Sequence, residues 1–316
     1  MEYRKIIEFG KSSYVVSLPK AWMTENKLGK GDVVYVGKEG DNLMLYPAQK
    51  QDASSTKSIT IDVTNMNKSE IRLQVISKYV RNFNEITFTA DNMQSKAKDI
   101  RATIHDMMAL EVVEETASKI VTRDFLNMEE IDPLDLIRKM DNITREMIAD
   151  SKNSFSEDKY VNLSERDTDV NRLSYLLFRT IRHLHHNPPL AKKFGINSVE
   201  ANVIWNAAVK IESVADDARR IAKLVKRLKF KKQEQDHFYR LYSQVEKYYL
   251  DSMDVFYNRD SEKAFKLMPQ KKKLIKQCKD FYRQNWEHEW VPVILEKMKA
   301  MIANTKVLLK FVCDTD

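Results

Sequence analysis

A chain of 316 residues with 43% hydrophobic and 31% charged residues can bury more than one core beneath a charge-covered surface. Only 6 Gly and 7 Pro exclude a loop-rich all-β architecture and favour long helices. The net charge of +7 leans toward polyanionic partners, while apolar runs of a handful of residues fall short of the ~20 that a bilayer span needs.

The chain opens on MEYRKIIEFG, which lacks the apolar stretch of a secretory leader. Alternating apolar residues predict strands at Tyr14 to Leu18, Asp32 to Val36 and Asn42 to Tyr46, separated by turn signals at Gly29-Lys30-Gly31 and Gly40-Asp41. Pro19 opens a short helix, Lys20 to Lys27, because proline is tolerated in a first helical turn. These elements make a first domain, 1–48, and polar Gln49 to Lys57 reads as a linker.

A second region, 58–130, changes period. Ile59, Ile61 and Val63 alternate; Ile71, Val75, Ile76, Tyr79 and Val80 recur at helical spacing; Ile86 and Phe88 begin the cycle again. The pattern predicts a small two-layer α/β module of order βαβαββ, with no Gly-rich phosphate loop or nucleophile elbow. Asp132-Pro133 then opens a helical territory. Ile204, Ala208, Ile211, Ala215, Ala218, Ala222 and Val225 recur at spacings of three and four, as in a bundle seam. Breaks at Ser156 to Lys159, Asn187-Pro188-Pro189, Phe230 to Gln235, Asn258 to Asp260 and Trp290 to Pro292 predict six helices. They divide as one three-helix bundle over 131–230 and another over 231–316. Cys278 and Cys313 form neither a CxxC nor a zinc spacing, so a reducing, cytoplasmic setting is expected.

Residues 1–47 resemble the AbrB/SpoVT/MazE family. The resemblance is carried by Arg4-Lys5-Ile6, Gly10-Lys11-Ser12-Ser13, VVSLPKAW from Val15 to Trp22 and LGKGDVVYV from Leu28 to Val36. It implies a swapped-hairpin β-barrel half that dimerises with a second copy and binds double-stranded DNA. The basic positions it carries over are Arg4, Lys5 and Lys11, with Lys20 nearby. Phosphate neutralisation would supply most of the affinity. The competing reading is a hairpin that only dimerises, since Glu25, Asp32, Glu39 and Asp41 offset the lysines.

From about Leu134 the chain resembles PhoU, the phosphate-uptake regulator, through IESVADDARRIAK (Ile211 to Lys223) and ERDTDVNR (Glu165 to Arg172). The resemblance implies two three-helix bundles and a site for iron, Mg, Mn or Ca formed by Glu165, Asp169, Glu212 and Asp216. Four-residue spacing puts each pair on one helix face, and a cluster of carboxylates repels itself unless a cation or protonation relieves it. The alternative is a solvated acidic fringe. In the second bundle Lys299 and Ala303 stand where the pair would be, and the neighbouring helix carries Lys271, Lys272, Lys273 and Lys276.

Catalysis is not expected. A carboxylate oxidase needs paired Glu-x-x-His motifs, and only Glu234 to His237 has the spacing. His183, His185 and His186 end a helix, where cationic side chains cap the dipole. The densest basic run, Arg219 to Lys232, is expected to be a solvated helix face. Together these features predict a multidomain α+β, dimeric transcription regulator of phosphate homeostasis. The alternative is an adaptor whose helices bind a phosphate transporter's ATPase or a sensor kinase.

Overall fold

The computed structural model describes residues 3–39, 41–47, 57–155 and 160–313. The chain forms two compact units, Met1–Ser55 and Thr56–Asp316. The expected break at Ser156 to Lys159 and all but Lys57 of the expected linker lie outside the described residues.

In the first unit, β1 (Ile7–Phe9) pairs antiparallel with β2 (Ser13–Val15), and Phe9 opposite Ser13 leaves Gly10-Lys11-Ser12 as the loop. Gly10 has a φ of +73°, a left-handed conformation that a side chain disfavours. Pro19 then caps α1 (Lys20–Glu25), whose last turn is closed by the Asn26 amide on the Trp22 carbonyl at 2.8 Å. β3 (Val34–Glu39) and β4 (Asn42–Pro47) form a second hairpin with Tyr35 opposite Tyr46.

These hairpins remain separate two-stranded sheets, and no sheet closes into a barrel. The barrel expected from the family resemblance is therefore corrected. Alternation along Val34 to Tyr46 specifies a hairpin, but strand alternation alone does not dictate which strand edges meet.

The second unit begins with β5 (Ser58–Asp62), α2 (Lys68–Val80), β6 (Glu85–Thr89), α3 (Met93–His105), β7 (Leu110–Glu115) and β8 (Lys119–Asp124), the βαβαββ order expected. The sheet runs β5-β6-β8-β7, with β5 and β6 parallel and the remaining pairs antiparallel. A capping box between Asn67 and Glu70 starts α2, whose Ile71, Val75 and Tyr79 pack with Ile86, Phe88 and Ile120 in the core.

Among the described residues eight helices follow: α4 (Pro133–Lys152), α5 (Tyr160–His186), α6 (Pro188–Lys193), α7 (Ser198–Val225), α8 (Lys232–Asn258), α9 (Ser261–Leu267), α10 (Gln270–Gln284) and α11 (Val291–Cys313). Their apolar core is continuous from Leu136 to Val312 rather than split in two. The reason lies in α7, which packs against α4, α5 and α11. Its buried Ala207, Ala208, Ala215, Ala218 and Ala222 let neighbours approach on several sides.

The module and the helices meet at Arg179 on α5. This side chain is only 1% exposed and pairs with Asp124 at the end of β8, itself 2% exposed. Its Nε donates to Asn82 Oδ1 at 3.0 Å, and Asn82 returns a bond to the Arg179 carbonyl at 3.3 Å. The guanidinium lies 4.6 Å from the centre of the Tyr79 ring. Burial pushes the Tyr79 phenol up to about 12, so it stays protonated and donates to the Met108 carbonyl at 3.0 Å.

Candidate functional site

The basic residues of the first unit stand on its surface. Arg4 and Lys5 lie in the extended segment leading into β1, Lys11 sits in the β1–β2 loop, and Lys20 opens α1; all four are exposed. Lys5 and Lys11 are separated by six residues, so they span up to about 20 Å along the chain. Nearby, Asp32 accepts from the Gly29 N–H at 2.8 Å, a turn bond that engages one of the offsetting carboxylates.

The same unit has a conspicuous deficit of burial. Of its described residues 3–39 and 41–47, none whose exposure is described is buried. Instead Ile6, Phe9, Tyr14, Val33, Tyr35, Val36 and Leu43 are each at least half exposed. Water contact with so many large apolar side chains is unfavourable. An isolated two-stranded hairpin is also marginal in water.

The four carboxylates expected to hold a metal do not converge. Glu165 and Asp169 are exposed, and among the described residues Asp169 reaches only Arg172, at 3.7 Å. Among the described residues, no group of three or more His, Cys, Asp and Glu is placed to hold a metal ion. The expected iron, Mg, Mn or Ca site is therefore corrected. The cause is helical phase. Leu163, Val170, Leu173 and Leu177 define the buried stripe of α5. Asp167 lies about 200° of helix rotation from either Glu165 or Asp169, which puts it on the flank facing α7 instead.

The cluster that does form is ionic. Asp216 on α7 accepts from Arg219 Nη2 at 2.6 Å and pairs with Arg220 Nη2 at 2.7 Å. Arg219 Nε lies 3.2 Å from Asp167 Oδ2, bridging α7 to α5. Asp217, one residue on, faces Lys297 of α11 at 3.3 Å. Arg219 and Arg220 thus offset part of the charge of Asp216 and Asp167.

Burial, then the charge of Asp216, raises the pKa of Glu212. Among the described residues Glu212 makes no hydrogen bond or ion pair. Burial likewise outweighs Arg219 at Asp167 and Lys297 at Asp217, and both carboxyls are raised.

Other expected features also find internal uses. Most of the basic run from Arg219 is engaged within the unit: besides the ion pairs of Arg219 and Arg220, Lys223 and Lys226 lie over the Tyr160 ring, Arg227 stacks 4.4 Å over Trp290 and Lys232 pairs with Asp236 at 3.2 Å. Lys299 pairs with Glu296 at 2.7 Å. His183 is no cationic cap, because burial and then the charge of Arg179 lower its pKa. Glu234 accepts the Lys231 N–H at 2.6 Å as a helix cap, with His288 3.5 Å away. No helix among the described residues is long and apolar enough to cross a membrane.

Against known proteins, residues 9–52 match the family model described as antidote-toxin recognition MazE, bacterial antitoxin. Residues 137–225 match the PhoU domain model. The crystal structure of PhoU from Pseudomonas aeruginosa is similar to this chain with a TM-score of 0.52 and 15% identity, over 58% of this chain and 95% of that one. No curated protein matches. The chain thus joins a MazE-like N-terminal segment to a helical region with the PhoU fold.

Proposed function

We propose that this chain, a regulatory protein of MazE/PhoU type, is a cytoplasmic DNA-binding homodimer that adjusts transcription in response to phosphate status. The observation that carries the reading is the pairing of two properties in one unit. Its apolar side chains are left on the surface, and Arg4, Lys5, Lys11 and Lys20 are exposed beside them. A second copy covering the apolar face supplies the missing burial, and two-fold symmetry doubles the basic set. Two copies of Arg4, Lys5 and Lys11 meet phosphates on a duplex, while the helical unit receives the signal.

A second reading, an adaptor for a transporter ATPase or a sensor kinase, is favoured by α10. Lys272, Lys273, Lys276 and Lys279 are exposed there, and Tyr282 and Trp286, in and just beyond its last turn, are 44% and 65% exposed. Exposed aromatic side chains are enriched at protein-binding surfaces, and a row of lysines steers an acidic partner toward them.

Replacing Arg4, Lys5 and Lys11 together by Ala decides between them. The transcription reading predicts loss of duplex binding with the dimer intact by light scattering, and retained binding when Lys272, Lys273 and Lys276 are replaced. The reverse pattern contradicts it.

A further inference from the structure

A cleft of about 520 Å³ opens between α8 and α10, within the size range of small-molecule sites. Its α8 wall carries Glu234, His237, Arg240 and Gln244, and its α10 wall carries Gln277 and Gln284. Spacings of three and four put His237, Arg240 and Gln244 on one helix face, and the seven residues from Gln277 to Gln284 bring those two to one face of α10.

Behind His237 lies an aromatic cluster. The buried rings of Phe238 and Phe281 sit 6.0 Å apart, and the His237 ring meets Phe281 at 4.9 Å. Gln277 Nε2 donates to Gln244 Oε1 at 2.9 Å, tying the two walls together. Its own Oε1 is buried with no hydrogen-bond partner among the described residues.

Charge in the cleft is asymmetric. Glu234 is engaged with the Lys231 N–H and His288, and the backbone bond first of all lowers its pKa. Arg240 donates from Nε to the Asp236 carbonyl at 3.2 Å and forms no ion pair among the described residues. Burial and the neighbouring Arg240 hold the His237 imidazole below its ordinary 6.5, so at neutral pH it offers one donor and one acceptor. The walls thus combine a guanidinium outside any ion pair with side chains that both donate and accept, and Glu234, held on the Lys231 N–H, is the carboxylate among them.

We propose that this cleft binds a small hydroxyl-rich ligand bearing a single phosphate, with Arg240 on the phosphate and the carboxamides of Gln244, Gln277 and Gln284 on hydroxyls. A carboxamide matches a hydroxyl because each both gives and takes a hydrogen bond. Guanidinium groups recognise phosphate through paired N–H donors. The site is independent of the DNA-binding reading, and its loss leaves that reading standing.

The test is calorimetric titration of the full chain with ribose 5-phosphate, adenosine monophosphate, ribose and inorganic phosphate. A phosphorylated ligand is expected to bind at least about tenfold more tightly than ribose or phosphate alone, and Arg240→Ala and Gln244→Ala each to weaken it by about tenfold or more. Both positions are exposed, so the variants should melt like the wild type; Gln277→Ala is an independent third probe. Preference for adenosine monophosphate identifies a nucleotide, and equal affinity a sugar phosphate. Phosphate alone binding as tightly, affinity unchanged in all three variants, or no heat up to about 10 mM ligand overturns the proposal.

Discussion

Replacing Arg179 by Met removes the cation at the meeting of α5, α2 and β8 while keeping a side chain of comparable length. Arg179 and Asp124 are 1% and 2% exposed, so the variant leaves a buried carboxylate without its partner. Breaking such a pair from one side costs about 3–5 kcal/mol, and solvent screening gives little relief at this depth. Asn82 loses the bond to its Oδ1 but keeps the one it donates to the residue-179 carbonyl. In a unit of this size the loss corresponds to a melting shift of roughly 6–20 °C.

Arg179→Met combined with Asp124→Leu should recover most of that loss, because two apolar side chains can replace a buried ion pair at little net cost. Urea titrations of the wild type, both single variants and the double variant close the cycle. A single-variant cost below about 1 kcal/mol, or a double variant as unstable as the sum of the singles, refutes the reasoning.

Other perturbations follow from the same geometry. A carboxyl whose pKa rises on folding is favourable below its ordinary value, here 4.5 for Glu212, and that contribution is lost as pH rises through the raised value. Glu212→Gln should therefore stabilise the protein at neutral pH, with the gain vanishing as pH falls to 4.5 and below; a gain independent of pH contradicts the burial argument. Phe9→Glu and Tyr35→Lys alter side chains that are 70% and 51% exposed, so they should convert the dimer to monomer without changing the melting of the helical unit. Sedimentation that still shows the dimer rules out this apolar face as the contact. Tyr242→Phe removes a buried hydroxyl 2.5 Å from Ser151 Oγ and should cost about 1–2 kcal/mol in denaturant titrations; a neutral result means the Ser151 hydroxyl is satisfied without it.

Legibility in the sequence followed how local each feature is. Strand alternation is a property of neighbouring residues: the strand expected over Asp32 to Val36 forms as Val34–Glu39, and that over Asn42 to Tyr46 as Asn42–Pro47. The α7 seam behaves likewise: Ile204, Ala208, Ile211, Ala215, Ala218, Ala222 and Val225 are all buried. Closure of the hairpins was not legible, since it depends on which strand edges meet. The carboxylate site failed through phase: Glu165 and Asp169 do share one face of α5, but Leu163, Val170 and Leu173 point elsewhere, and Asp167 is the carboxylate that reaches α7. Tracing the seam of α5 residue by residue would have selected it. Arg179 gave no signal at all, because only the fold brings Asn82 and Asp124 to it from 97 and 55 residues away.

The salt dependence of duplex binding tests the central claim most directly. Each phosphate contact contributes about 0.9 to the slope of log affinity against log salt concentration. If a dimer places Arg4, Lys5 and Lys11 of both copies on DNA, the triple Ala variant should lose up to about five units of that slope, with binding nearly abolished at physiological salt. A slope that is the same in wild type and variant would show that these residues do not meet the phosphates, and the DNA-binding reading would fall.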